Sequence, residues 1–380
     1  MLTGTTAYCP VDFDTAIDGK QALFDEQQRY WKKAFVDAQN EEQSRIDNGY
    51  GSSLGHGGQR PVIPSTNFGF EFIRELGQGG YGRVCEVKQL PNGDHFARKF
   101  VIAPNANQDN GKRQEIRQRV MNEVATSRNL QHHHIASVLL WTEETTGFSL
   151  IMPTVADFDL RAYLDSCIND EFPKDRISLM DPWFGCLTTA LRFAHANRVK
   201  HADLKPSNIL IKDNRVYLAD FGCATNFEGS QLSTSPEQRV TGTPVYRPPE
   251  SGTPGRAGDI FALGCVFSEM LTVRQGRTLA EYQAARKVDE LDNPYAYRKN
   301  LTAVQRWLAD LPDTKKGTPN VLLGMVLIML KEDPDDREDA KELKALTASW
   351  LQKWSSIAMR AKLRSVASSR STLLRVAVLG

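Results

Sequence analysis

The chain has 380 residues, 41% hydrophobic and 24% charged, and a formal net charge of +1. That balance is ordinary for a folded globular protein and excludes a disordered, collagen-like or polybasic chain, so nucleic acid is not expected as a partner. The six cysteines include no Cys-x-x-Cys pair, fit neither a zinc site nor a disulfide scaffold, and read as reduced thiols of an intracellular, cytoplasmic protein.

The first residues lack the basic start and apolar core of a secretory signal. From Asp18 to Ile46, Leu23, Phe24, Tyr30, Trp31 and Phe35 recur at helical spacing. They predict an amphipathic helix in an extension, residues 1–47, that packs on the main domain or serves partner binding or self-association. Glycines and prolines over 48–68 predict a linker. Short strands are expected at Phe72–Leu76, Val84–Lys88 and His95–Val101, the last after the turn residues Pro91-Asn92-Gly93-Asp94. A helix over Arg113–Leu130 and a strand pair at Ile135–Trp141 and Phe148–Met152 follow.

Beyond Leu160 helical periodicity dominates. The segments are Arg161–Cys167, Trp183–Ala196, Asp259–Leu271, Leu301–Ala309, Val321–Leu330 and Ala340–Lys353. Val321–Leu330, the longest apolar run, falls short of the ~20 residues of a membrane-spanning helix, so a soluble protein is expected. Strands first and helices second predict an α+β chain of two lobes, a small sheet-rich one over 69–153 and a larger helical one over 154–354. Residues 355–380 carry Arg360, Lys362, Arg364, Arg370 and Arg375 and no acid, a tail that suits solvent, an acidic partner or a membrane surface.

Chemistry enters at Gly77-Gln78-Gly79-Gly80-Tyr81-Gly82. Gly77, Gly79 and Gly82 let a hairpin bring backbone N–H groups close to phosphate oxygens. A dinucleotide site would need a helix directly afterwards, whereas Val84-Cys85-Glu86-Val87 is a second strand. On the third strand, Lys99 can place a positive charge on phosphates, provided an acid holds it; Glu123 has the better spacing and Glu115 is its competitor.

His201-Ala202-Asp203-Leu204-Lys205-Pro206-Ser207-Asn208, Asp220-Phe221-Gly222 and Gly242-Thr243-Pro244-Val245-Tyr246-Arg247-Pro248-Pro249-Glu250 then occur in order. With these motifs the chain, over residues 69 to 354, resembles the eukaryotic protein kinase family, and their wording is similar to kinases of filamentous fungi. The resemblance implies a bilobal kinase fold with a five-stranded small lobe, ATP between the lobes, and transfer of its γ-phosphoryl group to a protein hydroxyl. Asp203 would orient the acceptor hydroxyl and take its proton, and Lys205 would neutralise charge on the moving group. Asn208 and Asp220 would hold Mg2+ through hard oxygen atoms. Lys205, with Thr243 contacting the aspartate–lysine pair, implies protein substrates bearing serine or threonine.

Leu150 to Ala156 resembles the segment joining the lobes, with Met152 behind the adenine and Pro153 and Val155 bonding it. Asp159 would bond the ribose, and Leu76, Val84, Ala97 and Leu210 would sandwich the base. Glu250 is expected to pair with Arg337, and Asp259 to accept backbone hydrogen bonds from the catalytic loop. A silent kinase-like scaffold and a small-molecule phosphotransferase are the competing readings; the latter normally lacks Lys205-Pro206 and the Gly242–Glu250 segment.

One position departs from the family pattern. Ala202 stands where an arginine usually precedes the catalytic aspartate and pairs with a phosphate on the activation loop. Activity is therefore expected not to depend on phosphorylating Ser230, Ser233, Thr234, Ser235 or Thr241. Phosphatase treatment before assay should leave the rate unchanged; an abolished rate would refute this.

Overall fold

The computed structural model describes residues 70–79, 82–90, 93–105, 107–226, 242–250, 255–290, 292–312 and 321–348. The predicted N-terminal helix, the linker, the candidate phosphorylation sites and the basic tail lie outside these residues. The chain divides into two compact units. The first takes in the described part of Met1–Asp159 with Leu210–Asp213 and Tyr217–Ala224; the second takes in Leu160–Ile209, Asn214–Val216 and the described residues from Thr225 onward.

Five antiparallel strands build the first unit: β1 (Phe70–Gly79), β2 (Gly82–Gln89), β3 (His95–Ile102), β4 (Leu140–Glu144) and β5 (Gly147–Met152), in the order β1-β2-β3-β5-β4. Successive side chains of a strand point to opposite faces, and the register sorts them. Val84 lies opposite Lys99, Lys99 opposite Leu150, and Ala97 opposite Met152. On this face Phe148 and Leu150 pack with Val120 and Val124 of α1 (Asn110–Asn129). The other face gathers Cys85, Val87, Phe96 and Ile151. Asp109 starts α1 by accepting a hydrogen bond from the Lys112 N–H at 2.9 Å.

The predicted strand Ile135–Trp141 begins only at Leu140. Upstream, the backbone already has partners: Ala136 N–H donates to the Leu218 carbonyl at 2.8 Å, and Val138 N–H to Ser127 Oγ at 2.7 Å. Leu139 N–H is the first of the stretch to reach β5, donating to the Ile151 carbonyl at 2.8 Å. Glycine is required at Gly82, where φ is 149° and a Cβ would stand 1.8 Å from the Phe100 carbonyl oxygen. A short strand β6 (Phe158–Asp159) pairs with β8 (Ile209–Lys212), setting Asp159 opposite Leu210.

The second unit is helical, with α2 (Leu160–Asn169), α3 (Lys174–Leu179), α4 (Asp181–Ala196), α5 (Arg256–Arg274), α6 (Leu279–Arg286), α7 (Leu301–Ala309) and α8 (Val321–Met329). Residues 340–348 are also helical. Helix α5 is buried on nearly every side, so it carries apolar residues all round. Its Phe267 meets Phe184 of α4 edge-on, with ring centroids 4.9 Å apart. A Cβ at Gly264 would stand 2.9 Å from Met329 Cβ, so a glycine lets α5 and α8 approach closely. Helices α3 and α6 are additional to those predicted, although the capping box Thr278-x-x-Glu281 announces α6 in the sequence. No helix among the described residues is long and apolar enough to cross a membrane. A sheet-built unit followed by a helical one is the bilobal α+β fold expected from the strand and helix pattern.

Arg337 holds the end of this unit together. Its guanidinium donates to Glu250 Oε1 at 2.9 Å and Oε2 at 2.8 Å, and to the carbonyls of Lys331, Glu332 and Ala257. The arginine side chain is fully buried and Glu250 is 17% exposed. Arg337→Ala strands the carboxylate and three carbonyls, and should cost about 3–5 kcal/mol of stability. A thermal unfolding midpoint within error of the wild type would refute that.

Candidate active site

The first unit assembles one polar group on the helix-packed face of its sheet. Lys99, on β3, donates to Glu123 Oε1 at 2.9 Å and to Asp220 Oδ1 at 2.7 Å. Glu123 lies on α1, one turn from Val120 and next to Val124, so the packing that seats the helix also delivers this carboxylate. Glu115 is instead paired with Arg119 on the exposed side of the same helix. Burial disfavours the lysine's charge, but Glu123 and Asp220 outweigh it and hold its pKa above the ordinary lysine value. Asp220 sits in the left-handed region (φ 62°, ψ 66°) and also accepts from Gly222 N–H, at the start of a 3-10 turn over Phe221–Cys223. A side chain at Gly222 would crowd both carboxylates, since a Cβ there would stand 3.1 Å from Asp220 Oδ1 and from Glu123 Oε2.

The same unit also holds the glycines and the expected base-contacting residues. Gly77 pairs with Val84, and Gly79 with Gly82, across the β1–β2 hairpin. A Cβ at Gly77 would meet open space, whereas the backbone demands glycine at Gly82. Ala97 is buried, while Leu76, Val84 and Leu210 are half-buried. Met152 packs against the Phe148–Leu150–Val120 cluster at the end of β5. Pro153 and Val155 lie on the irregular segment that follows, leading to Asp159.

The second unit assembles a separate group. Strand β7 (Val199–Lys200) runs into His201 and Ala202, and the loop ends in a 3-10 turn over Pro206–Asn208. Buried Asp259, in the first turn of α5, supports it. Its carboxylate accepts from His201 N–H and Ala202 N–H, both at 2.8 Å, and bonds His195 Nε2 at 2.9 Å. Burial works against this charge, yet the His195 bond, the nearby His201 and the Ala202 N–H hold its pKa below the usual carboxylate range.

Asp203 is then surrounded by donors. Its Oδ1 accepts from Thr243 N–H at 2.7 Å and from Thr243 Oγ1 at 2.8 Å. Its Oδ2 accepts from Lys205 Nζ at 2.8 Å and from Asn208 Nδ2 at 3.2 Å. Lys205 Nζ also donates to Thr243 Oγ1 at 2.8 Å, closing a ring of aspartate, lysine and threonine. The amide of Asn208 additionally donates to the Asp203 carbonyl at 2.8 Å, so its nitrogen is committed and its oxygen remains as the donor atom suited to a hard cation. Gly242 has φ 87°, and a Cβ there would stand 2.6 Å from the Ala202 carbonyl oxygen. That glycine, like His195, performs a positioning task that sequence reasoning missed. Only the neighbouring Thr243 motif pointed to it.

No group of three or more histidine, cysteine or acidic side chains that could hold a metal by itself occurs among the described residues. Magnesium with a nucleotide needs less, because one or two protein oxygens suffice when phosphates supply others. The carboxylate of Asp220 and the amide oxygen of Asn208 are each an oxygen donor of that hard kind.

A five-stranded sheet with a lysine–glutamate–aspartate group, and a helical unit with an aspartate–lysine–threonine ring, define a phosphotransferase of the protein kinase class. The chain belongs to the protein kinase family: the protein kinase domain matches residues 70–351. It is 30% identical over 299 residues to MAP3K epsilon protein kinase 2 of Arabidopsis thaliana, a match covering 76% of this chain and 19% of the relative. It is 28% identical to serine/threonine-protein kinase PrkC of Bacillus subtilis (strain 168), over 73% of this chain and 39% of that one. Against cyclin-dependent kinase 4 of Mus musculus identity is 32% over 213 residues, 53% of this chain and 67% of the relative. The chain thus spans about a fifth of the plant relative's length.

The depressed pKa of Asp259 sets a sign for pH dependence. A carboxyl group with a lowered folded-state pKa contributes stability above its unfolded value, near 3.9, and that contribution is lost as pH falls through the folded value. Asp259→Asn should therefore destabilise the protein by roughly 3 kcal/mol at neutral pH, with the gap to wild type closing under acid. Denaturation midpoints of both proteins across pH test this; a gap independent of pH would refute it.

Proposed function

We propose that this chain is an active serine/threonine protein kinase, transferring the γ-phosphoryl group of ATP, with magnesium, to a serine or threonine hydroxyl of a protein. The observation that carries the reading is the ring formed by Asp203, Lys205 and Thr243. A tightly oriented carboxylate with an ammonium bound to it is what transfer to an aliphatic hydroxyl needs, because the reaction depends on positioning and charge neutralisation more than on covalent help. Bound magnesium–ATP supplies the phosphoryl group and the leaving diphosphate.

In this reading Asp203 holds the acceptor hydroxyl and takes its proton as the new O–P bond forms, and Lys205 offsets the negative charge of the moving group. Lys99, kept charged and held by Glu123, grips the α- and β-phosphates. Asp220 and Asn208 are the metal's oxygen donors. Leu76, Val84, Ala97, Met152 and Leu210 form the apolar surface for the base, with Pro153, Val155 and Asp159 as its polar contacts.

The relatives' names support protein substrates, since one is called a protein kinase and another a serine/threonine-protein kinase. Free cysteines, buried at Cys85, Cys167, Cys186 and Cys265, support an intracellular and cytoplasmic setting, which cell fractionation would test. Kinship with filamentous-fungal kinases rests on the wording of the His201–Leu210, Asp220–Gly222 and Gly242–Glu250 motifs.

Radiolabelled ATP with a peptide library offering serine, threonine and tyrosine acceptors tests the activity. Wild type should label serine or threonine peptides, and Asp203→Asn should lower the rate by about a hundredfold or more. Lys99→Met should chiefly weaken nucleotide use. A wild-type chain that binds magnesium–ATP poorly and labels nothing would make it a silent scaffold, and preferred labelling of tyrosine would overturn the assigned specificity.

A further inference from the structure

The helix that carries Glu123 is fastened at both ends, and the fastening at its start lies in a side chain with no role in the chemistry. Arg113, in the first turn of α1, has a side chain only 6% exposed. Its Nε and Nη2 donate to Glu143 Oε1 at 3.1 and 2.9 Å, its Nη1 to the carbonyls of Pro104 and Thr145 at 2.9 and 3.0 Å, and its Nη2 to the Glu144 carbonyl at 2.6 Å. A guanidinium has five N–H groups, and here each has a partner. Its plane also lies over Phe148, 5.1 Å from the ring centroid. One turn further on, Arg117 reaches the second oxygen of Glu143 at 3.2 Å and lies over Trp141. At the far end, buried Ser127 accepts from Val138 N–H at 2.7 Å.

We infer that Arg113 is a positioning residue for the Lys99–Glu123 pair: it ties the start of α1 to the β4–β5 turn, so that the sheet itself holds Glu123 on Lys99 with no loop phosphate or partner protein required. The inference rests on the kinase reading above. A helix carrying a functional glutamate can pivot about its apolar middle, here Val120 and Val124, unless its ends are tied. Apolar packing is non-directional and fixes the distance between helix and sheet more than the helix's rotation. Arg113 supplies direction, because a planar fork meeting a carboxylate and three carbonyls fits in one orientation. Glu143 is 40% exposed, so removing the arginine leaves no buried carboxylate unpaired.

The test uses the full chain, dephosphorylated, as wild type, Arg113→Ala, Arg113→Lys and the control Arg119→Ala, whose residue pairs only on the exposed face. Amide hydrogen exchange is followed in α1 and in α5, together with binding of a fluorescent ATP analogue with magnesium and steady-state kinetics. Arg113→Ala should speed exchange in α1 about tenfold, leave α5 unchanged, and weaken nucleotide binding about tenfold, because the competent helix position is then a minor fraction. The KM for peptide should not move. Arg113→Lys should recover part of each effect, and it remains informative if the alanine variant does not fold. Nucleotide affinity and α1 exchange equal to wild type in Arg113→Ala would overturn the inference, as would equal loss of protection in α1 and α5, the mark of a merely structural residue. A wild type that binds no nucleotide would instead overturn the kinase reading, and the exchange comparison would still decide the role of Arg113.

Discussion

The catalytic loop depends on one buried carboxylate. Asp259 takes the N–H groups of His201 and Ala202 and the imidazole of His195, and it does so from the first turn of a helix that is itself buried nearly all round. The loop needs such an anchor because Ala202 has φ 65°, a left-handed conformation that costs a non-glycine residue about 1–2 kcal/mol. Ala202 thus turns the chain so that Asp203 faces Lys205 and Thr243. Without Asp259 the extended form of the loop would be cheaper, and the ring of donors around Asp203 would have nothing to gather on. The N-terminal turn of α5 also favours negative charge through the helix dipole, which adds to the hold on this anion.

The same logic, a buried charge whose hydrogen bonds are all answered, recurs elsewhere. Arg337 gives every N–H to Glu250 or to a carbonyl, and Arg113 does the same around the β4–β5 turn. Such groups add less net stability than their number suggests, because desolvation offsets the attraction. They add direction. Apolar contacts between α1 and the sheet, or between α5 and α8, tolerate sliding and rotation, whereas a guanidinium with five fixed acceptors does not. A transferase that works by placing charges gains from that directionality more than from additional stability.

In the first unit a single lysine has two acidic partners, Glu123 nearly buried and Asp220 42% exposed. The difference assigns them different tasks. Glu123 is shut in and holds the lysine. Asp220, in a left-handed turn, is the more open to solvent of the two. The Lys99 ammonium, 2.7 Å from Asp220 Oδ1, also aims that carboxylate.

Much of this was legible in the chain. The strand and helix order and the motifs around Asp203 and Asp220 depend on short-range patterns, whereas the pairing of Glu250 with Arg337, 87 residues apart, came from the family resemblance. Element limits were less legible: the stretch Ile135–Leu139 looks like a strand, yet the N–H groups of Ala136 and Val138 go to Leu218 and Ser127, residues that local periodicity cannot see. Arg113 in the sequence is one basic residue among several on a charged helix, and nothing in its neighbours marks it as buried. By itself the sequence determined the family and the order of strands and helices, since motif wording and hydrophobic periodicity are local. Only the tertiary structure decided which arginines are structural, which glycines are required and how Ala202 is held, because those depend on acceptors and backbone brought together from distant parts of the chain.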